Sequence, residues 1–248
     1  VDKGILRYAL KDGVTNEELL QHYVALHGLS GQGGRVAAAN VPKQYRDVLL
    51  KDSPVREGEQ QLYTSLDNYI KTFSRQFEGK QIKGLYLYSP NSGNGKTTTA
   101  CALANEFIVR HYVGCIKRGL MPSLQPAYFF DVNEWQTLYT EFNRPKVPQN
   151  IAEAAAQEYY SRERIAREVP FLVMDDIGVR ADITEGYRAD LHRLVNARNQ
   201  SELPTIYTSN VPIQELERIF GEKRLVDRIR DMTEVLRFTG ESKRGRRK

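Results

Sequence analysis

From Gly84 onward the chain alternates short apolar runs with longer amphipathic stretches. The runs 84–89 (GLYLYS), 127–132 (AYFFDV), 170–176 (PFLVMDD) and 204–210 (PTIYTSN) are short and rich in aromatic and branched side chains, so each reads as a strand. The stretches between them, 96–112, 133–143, 151–168 and 185–199, read as helices. Strands separated by helices predict a parallel sheet covered on both faces, with ligands at the carboxyl ends of its strands.

Upstream the pattern changes. Thr15 with Glu18 three residues later forms a capping box, and Leu19, Leu20, Tyr23, Val24 and Leu26 make one helical stripe that ends near Gly28. Residues 1–34 are expected to form a small helical segment whose glycine-rich end, 28–34 (GLSGQGG), is a linker, with residues 35–248 as the main domain. The segment is too short for a core of its own. Its stripe must dock on the main domain or on a partner protein. A further helix is expected over 59–73, where Leu62, Leu66, Tyr69, Ile70 and Phe73 recur at helical spacing.

Composition narrows the function classes. The formal charge is +5, but Lys243, Arg244, Arg246, Arg247 and Lys248 all sit in the last six residues, so the body is balanced and the basic character belongs to a tail. Such a tail is a solvated end or a contact for an acidic partner such as nucleic acid. Cys101 and Cys115, the two cysteines, exclude a disulfide framework or a cysteine-built zinc site, and a reducing, cytoplasmic setting is expected. No apolar run approaches the ~20 residues of a membrane span, so no membrane partner is expected.

The first expected strand runs into SPNSGNGKTT (89–98). Against the phosphate-loop pattern G-x-x-x-x-G-K-[ST], Pro90 replaces the first glycine while Gly93, Asn94, Gly95, Lys96, Thr97 and Thr98 complete the rest. Backbone N–H groups over 93–96 are expected to cradle phosphate, Lys96 to reach the outer phosphates, and Thr97 to offer its hydroxyl to Mg²⁺. A plain glycine turn accounts for the glycines but not for the lysine and threonine that open the next helix. Pro90 removes a donor at the loop entrance and leaves the cradle intact.

FLVMDDIG (171–178) is an apolar strand ending in two carboxylates. Asp175 is expected to hold Mg²⁺ through water, and Asp176 to orient or deprotonate an attacking water. Asn210 closes the next strand, where it can contact a γ-phosphate or act as a turn former ahead of Pro212. Arg224 and Arg228 lie four apart on a helical face and, on residues alone, pair with Asp227, Asp231 or solvent.

Taken together, SPNSGNGKTT, FLVMDDIG, YRADLHRLVNARNQSELPTIYTSN, RLVDRI and the final GESKR resemble the DnaC/DnaI-type replicative helicase loaders. These are AAA+ ATPases grouped with the IstB transposition helpers, and the resemblance spans roughly residues 40–244, most like loaders of Gram-positive bacteria and their phages. It implies an α/β AAA+ P-loop NTPase with a reduced C-terminal lid, using ATP and Mg²⁺. It implies Walker A at Gly93, Gly95, Lys96 and Thr97, Walker B at Asp175 with Asp176, and sensor I at Asn210. An arginine finger at Arg228, acting on a neighbouring subunit's ATP, and sensor II at Arg244 complete the set.

The implied partners are a hexameric DnaB-type replicative helicase, single-stranded DNA and further copies of the chain. Residues 1 to about 30 would correspond to part of the helicase-binding region; no cysteine precedes Cys101, so a zinc-binding module is excluded there. Arg144, Lys146, Arg162 and Arg164, interleaved with Phe142, Tyr159 and Tyr160, suit single-stranded DNA, although the same stretch also reads as a solvated amphipathic helix. Asp176 stands where many AAA+ proteins have glutamate. An IstB-like transposition helper and a non-hydrolysing inhibitor of a helicase or loader are the alternatives; a small-molecule kinase would not need Asn210 and Arg228.

Overall fold

The computed structural model describes residues 15–178 and 183–242. Its centre is a five-stranded, all-parallel sheet: β1 (Gly84–Tyr88), β2 (Ala127–Asp131), β3 (Phe171–Asp175), β4 (Thr205–Ser209) and β5 (Thr233–Arg237), in the order β2-β3-β4-β1-β5. The first four are the strands expected from the apolar runs. β5 was not foreseen, because its sequence TEVLR carries little apolar signal and the strand lies at the sheet edge, paired on one side with β1. A strand needs strong apolar patterning only where both faces are covered.

Helices connect the strands: α4 (Lys96–Lys117) after β1, α5 (Val132–Phe142) and α6 (Gln149–Glu168) after β2, α7 (Glu185–Gln200) after β3, and α8 (Leu216–Phe220) with α9 (Lys223–Met232) after β4. Upstream lie α1 (Asn16–His27), α2 (Gly34–Ala38) and α3 (Gln60–Tyr69). The helix expected over 59–73 is split: α3 ends at Tyr69 and tighter 3₁₀ turns carry the chain over Ile70–Phe77.

Strand alternation sorts the interior into two cores. Leu85, Leu87, Phe129, Phe171, Val173 and Ile206 face α4 and the N-terminal helices. Tyr86, Tyr128, Phe130, Leu172, Met174 and Tyr207 face the layer built from α5 to α9. The sheet is covered on both faces, as its apolar runs require.

The capping box of α1 forms as expected: the Glu18 N–H donates to Thr15 Oγ1 at 3.2 Å and the Thr15 N–H donates to Glu18 Oε2 at 2.8 Å. Its stripe docks on the domain, since Leu19 and Leu26 are buried in the same core as α4. The glycine-rich run after it, expected as a linker, is a compact turn. The Gly33 N–H donates to His27 O at 2.6 Å, and Gly34 adopts φ +61° with its backbone against Leu26 O, where a Cβ would collide.

One buried cation ties three elements on the far side of the sheet. Arg198, near the end of α7, is 0 % exposed and donates to Thr205 Oγ1 (2.8 Å), Ala166 O (2.6 Å), Val169 O (2.9 Å) and Pro204 O (2.8 Å). Burial pushes its guanidinium pKa down to about 9, and four well-placed acceptors offset the desolvation. It fixes the end of α6 and the start of β4, and so aligns the strands that carry the site at their opposite ends. Arg198→Met is expected to destabilise the fold by about 3 kcal/mol, because it leaves buried carbonyls unpaired. Urea unfolding at neutral pH measures it; a loss under about 1 kcal/mol would contradict this role.

Candidate nucleotide-binding site

β4 lies between β1 and β3, so the loop leaving β1 and the acidic end of β3 flank one gap at the carboxyl edge of the sheet. The loop starts at Ser89, whose N–H donates to Ser209 O on β4 at 3.2 Å. Pro90 is exposed at the entrance, ahead of two left-handed glycines, Gly93 (φ +78°) and Gly95 (φ +97°). These backbone angles turn successive N–H groups inward at the head of the 22-residue α4. At Gly95 there is a second reason for glycine: a Cβ would collide with Val55.

Lys96 is 5 % exposed, and its ammonium donates to Asn91 O at 3.0 Å and Asn94 Oδ1 at 3.3 Å. Asn94 is 2 % exposed, and its amide Nδ2 has no hydrogen-bond partner among the described residues. A buried unpaired donor beside a buried ammonium is costly without an anion to receive it. The loop therefore fits phosphate by its own donor surplus.

The Thr97 hydroxyl, in the first turn of α4, meets both carboxylate oxygens of Asp175 at 3.0 and 3.1 Å. Thr208 on β4 donates to Asp175 Oδ1 at 2.6 Å, and its own oxygen accepts the Asp176 N–H at 2.9 Å. Asp175 is 5 % exposed; burial raises its pKa to about 7, the nearby charges of Asp176 and Asp131 add to the rise, and the two threonine hydroxyls oppose it. Asp131 caps α5 and stands opposite Asp175 in the β2–β3 register. Among the described residues no group of three or more His, Cys, Asp or Glu side chains could hold a metal. An Mg²⁺ ion here would use the Thr97 and Asp175 oxygens together with phosphate oxygens, the habit of that cation.

Asp176 has a left-handed backbone, φ +59°, at the turn that leaves β3. The turn is clamped from β4, where the Ser209 hydroxyl donates to Ile177 O at 2.7 Å and the Ile177 N–H donates to Thr208 O at 2.9 Å. Asn210 follows β4 directly and lies at the same edge, between loop and acidic strand. Thr98 is buried in the first turn of α4.

Two arginines complete the expected set, one of them beyond the described residues and the other expected to act on a neighbouring subunit's ATP. Arg244 lies outside the described residues. Arg228 sits on α9, where its carbonyl accepts from Asn199 Nδ2 at 3.0 Å. Asn199 lies in the last turn of α7, which leads to the amino end of β4, whereas the loop leaves the carboxyl end of β1. Arg228 is anchored at the opposite edge from its own phosphate loop. Asp227 on α9 pairs with Arg230 instead, at 3.4 Å.

The set expected to meet single-stranded DNA is divided. Tyr159 is fully buried, stacked on Trp135 with ring centroids 4.5 Å apart, and donates to Asp190 Oδ2 at 2.8 Å. Arg162 pairs with Glu134 at 2.8 Å and Glu158 at 2.6 Å, and Phe142 packs on Tyr139 and Tyr159. Tyr159 serves the core between α5 and α6, a correction to the sequence reading, with Phe142 packed at its margin and Arg162 held in ion pairs linking the two helices. Arg144, Lys146, Arg164 and Tyr160 remain exposed.

Several residues around the candidate site escaped sequence reasoning. Thr208 and Ser209 looked like ordinary strand residues, and only their register beside Asp175 marks them. A wall of the site comes from residues 53–63: Val55 covers Gly95, and a hydroxyl chain runs from Ser53 Oγ to Tyr63 (2.6 Å) and on to Thr99 (2.9 Å) in α4. Buried Glu59, in the same stretch, accepts the N–H groups of Thr239 (2.7 Å) and Gly240 (2.6 Å). The Phe238 N–H meanwhile donates to Tyr88 O at 2.8 Å, so the chain leaving β5 passes the root of the phosphate loop.

Comparison with known proteins adds to this geometry. No family model matches the chain. The replicative helicase loader DnaI of Bacillus subtilis (strain 168) is 28 % identical over 201 residues, 74 % of this chain and 53 % of DnaI. The chain thus spans about half the length of the curated relative it matches. Among solved structures, DnaI (22 % identity, TM-score 0.55) covers 82 % of this chain and 94 % of its own. The DnaC helicase loader (20 %, TM-score 0.53) covers 80 % and 100 %. AMPPCP-bound DnaA from Aquifex aeolicus (16 %, TM-score 0.53) covers 80 % and 51 %. The fold is that of an α/β P-loop NTPase of the AAA+ type, and the likeness to DnaC/DnaI-type loaders seen in the motifs extends over most of the chain.

The raised Asp175 pKa has a measurable consequence. The folded state holds this proton up to about pH 7, while an unfolded aspartate releases it near pH 4. The nucleotide-free protein therefore loses stability as pH rises across that window, and stays less stable above it. Asp175→Asn is expected to stabilise the nucleotide-free protein at pH 8 by on the order of 2 kcal/mol, read as a higher melting temperature, and the gain to vanish at pH 4.5. A gain of equal size at both pH values would contradict a buried, ionisable Asp175.

Proposed function

We propose that this chain is an ATP-driven switch that helps place a replicative DNA helicase on single-stranded DNA. The observation that carries the reading is the contact of Thr97 with Asp175. It joins the phosphate loop to the acidic strand, in a chain similar along most of its length to DnaI. Two oxygens so placed suit a hydrated divalent cation bridging to phosphate.

In this reading the N–H groups of 93–96 and the Asn94 amide hold the phosphates, Lys96 leaves its loop carbonyls for the outer phosphate, and Thr98 lines the α4 end of the cradle. Bound Mg²⁺ would supply charge neutralisation of the outer phosphates. Asp176 orients the attacking water and Asn210 senses the γ-phosphate from the end of β4. Arg228, anchored away from its own loop, acts on the nucleotide of a neighbouring subunit, so assembly and hydrolysis are coupled. Arg244 serves as the sensor II arginine that the resemblance implies. Arg144, Lys146, Arg164 and Tyr160 contact single-stranded DNA, and the N-terminal segment through residue 34 contacts the helicase.

The test is ATP hydrolysis by the purified protein, alone and with a replicative helicase and single-stranded DNA. Low activity alone and strong stimulation in the mixture are expected, with both lost in Lys96→Ala. Arg228→Ala is expected to retain nucleotide binding and to lose stimulation by 10³-fold or more, the scale of arginine fingers elsewhere. Helicase binding without turnover would instead favour an inhibitor, and indifference to the helicase an IstB-like transposition helper.

A further inference from the structure

Arg228 is carried by a helix that rests on an unusual seat. One face of α7 presents Arg188, His192 and Asn196, spaced four apart, with Asn199 one turn on. That face meets the α8–α9 segment. The Arg188 guanidinium lies at Gly221, His192 Nδ1 is 3.1 Å from Glu222 Oε1 at the head of α9, and Asn199 Nδ2 donates to Arg228 O at 3.0 Å. Arg188 Nε, His192 Nε2 and Asn196 Oδ1 are each buried with no hydrogen-bond partner among the described residues.

Three orphaned polar atoms along one helix face are rare in a settled interior, where nearly every such atom is paired. On the other side of α9, Leu225, Val226 and Ile229 are fully buried in the core. Apolar contacts hold α9 down without fixing its direction, whereas hydrogen bonds are directional. The polar seam is therefore what decides where along α7 the helix sits. With three atoms of that seam unpaired, the Asn199 bond is, among the described residues, its one direct hydrogen bond to Arg228.

The geometry points to Asn199 as a positioning residue that aims Arg228 at the neighbouring subunit's nucleotide, on a seam whose unpaired groups let α9 shift when subunits assemble. This inference rests on the reading of Arg228 as an arginine that acts in trans. Asn199 itself touches no nucleotide. Removing its amide should therefore act only where a neighbouring subunit depends on Arg228.

The experiment measures stimulated hydrolysis in the helicase and single-stranded DNA mixture for Asn199→Ala, Arg228→Ala and the double variant. Nucleotide affinity and melting temperature are measured on the same samples. Asn199→Ala is expected to lower stimulated kcat about tenfold with KM and nucleotide affinity within twofold of wild type. The double variant should be no slower than Arg228→Ala alone, since the two residues act as one unit. Asn199→Leu, which keeps the volume and loses the donor, replaces the alanine variant if that one does not fold. A stimulated rate within twofold of wild type in Asn199→Ala, while Arg228→Ala is slow, overturns the inference and leaves the functional reading standing. Full additivity in the double variant also overturns it. Unchanged rates in both single variants overturn the trans-acting arginine, and this inference with it.

Discussion

The site depends on one carboxylate held almost out of reach of solvent. Asp175 ends the fully buried strand β3 and is met by hydroxyls from two other elements, Thr97 at the head of α4 and Thr208 on β4. An ionised carboxylate in such a place is unfavourable until opposite charge arrives. The same placement that makes it expensive in the empty fold gives a divalent cation with phosphate a strong reason to bind. Neighbouring features follow from the need to keep that group in position: the left-handed turn at Asp176, the Ser209 clamp on Ile177, and the pairing of Asp131 opposite Asp175.

Around this centre the protein separates two duties between the edges of one sheet. The carboxyl edge gathers the phosphate loop, Asp175, Asp176 and Asn210, while Arg198 secures the opposite edge with four buried hydrogen bonds. Arg228 belongs to the second edge by its backbone tie to Asn199. A residue so placed is structurally part of the frame of its own subunit, away from its own phosphate loop.

Much of this was legible in the sequence, for physical reasons. The first four strands announced themselves because burial on both faces demands unbroken apolar runs, and the loop announced itself because Gly93 and Gly95 serve backbone angles that other residues adopt at a cost. What stayed hidden was whatever depends on register or on long sequence separation. Thr208 is an ordinary strand threonine until the β3–β4 pairing sets it beside Asp175, and Glu59 is an ordinary surface glutamate until the chain returns 180 residues later. Tyr159 misled because an aromatic on a basic stretch has the same composition whether it stacks on a base or on Trp135. β5 was missed because most of its residues are exposed, whereas β2, at the other edge, is buried and carries an apolar run.

The strand order has a kinetic consequence. β1 pairs with β4 and β5 and never with β2 or β3, so the first strand made waits for more than a hundred residues before either neighbour exists. Such non-local pairing slows folding, because loop closure precedes any reward. During synthesis the phosphate loop has no floor until Ser209 emerges, and Asp175 has no Thr208 to quiet it. The candidate site is therefore absent from every shorter nascent chain and comes into being in one late step, when β4 slides between its two older neighbours.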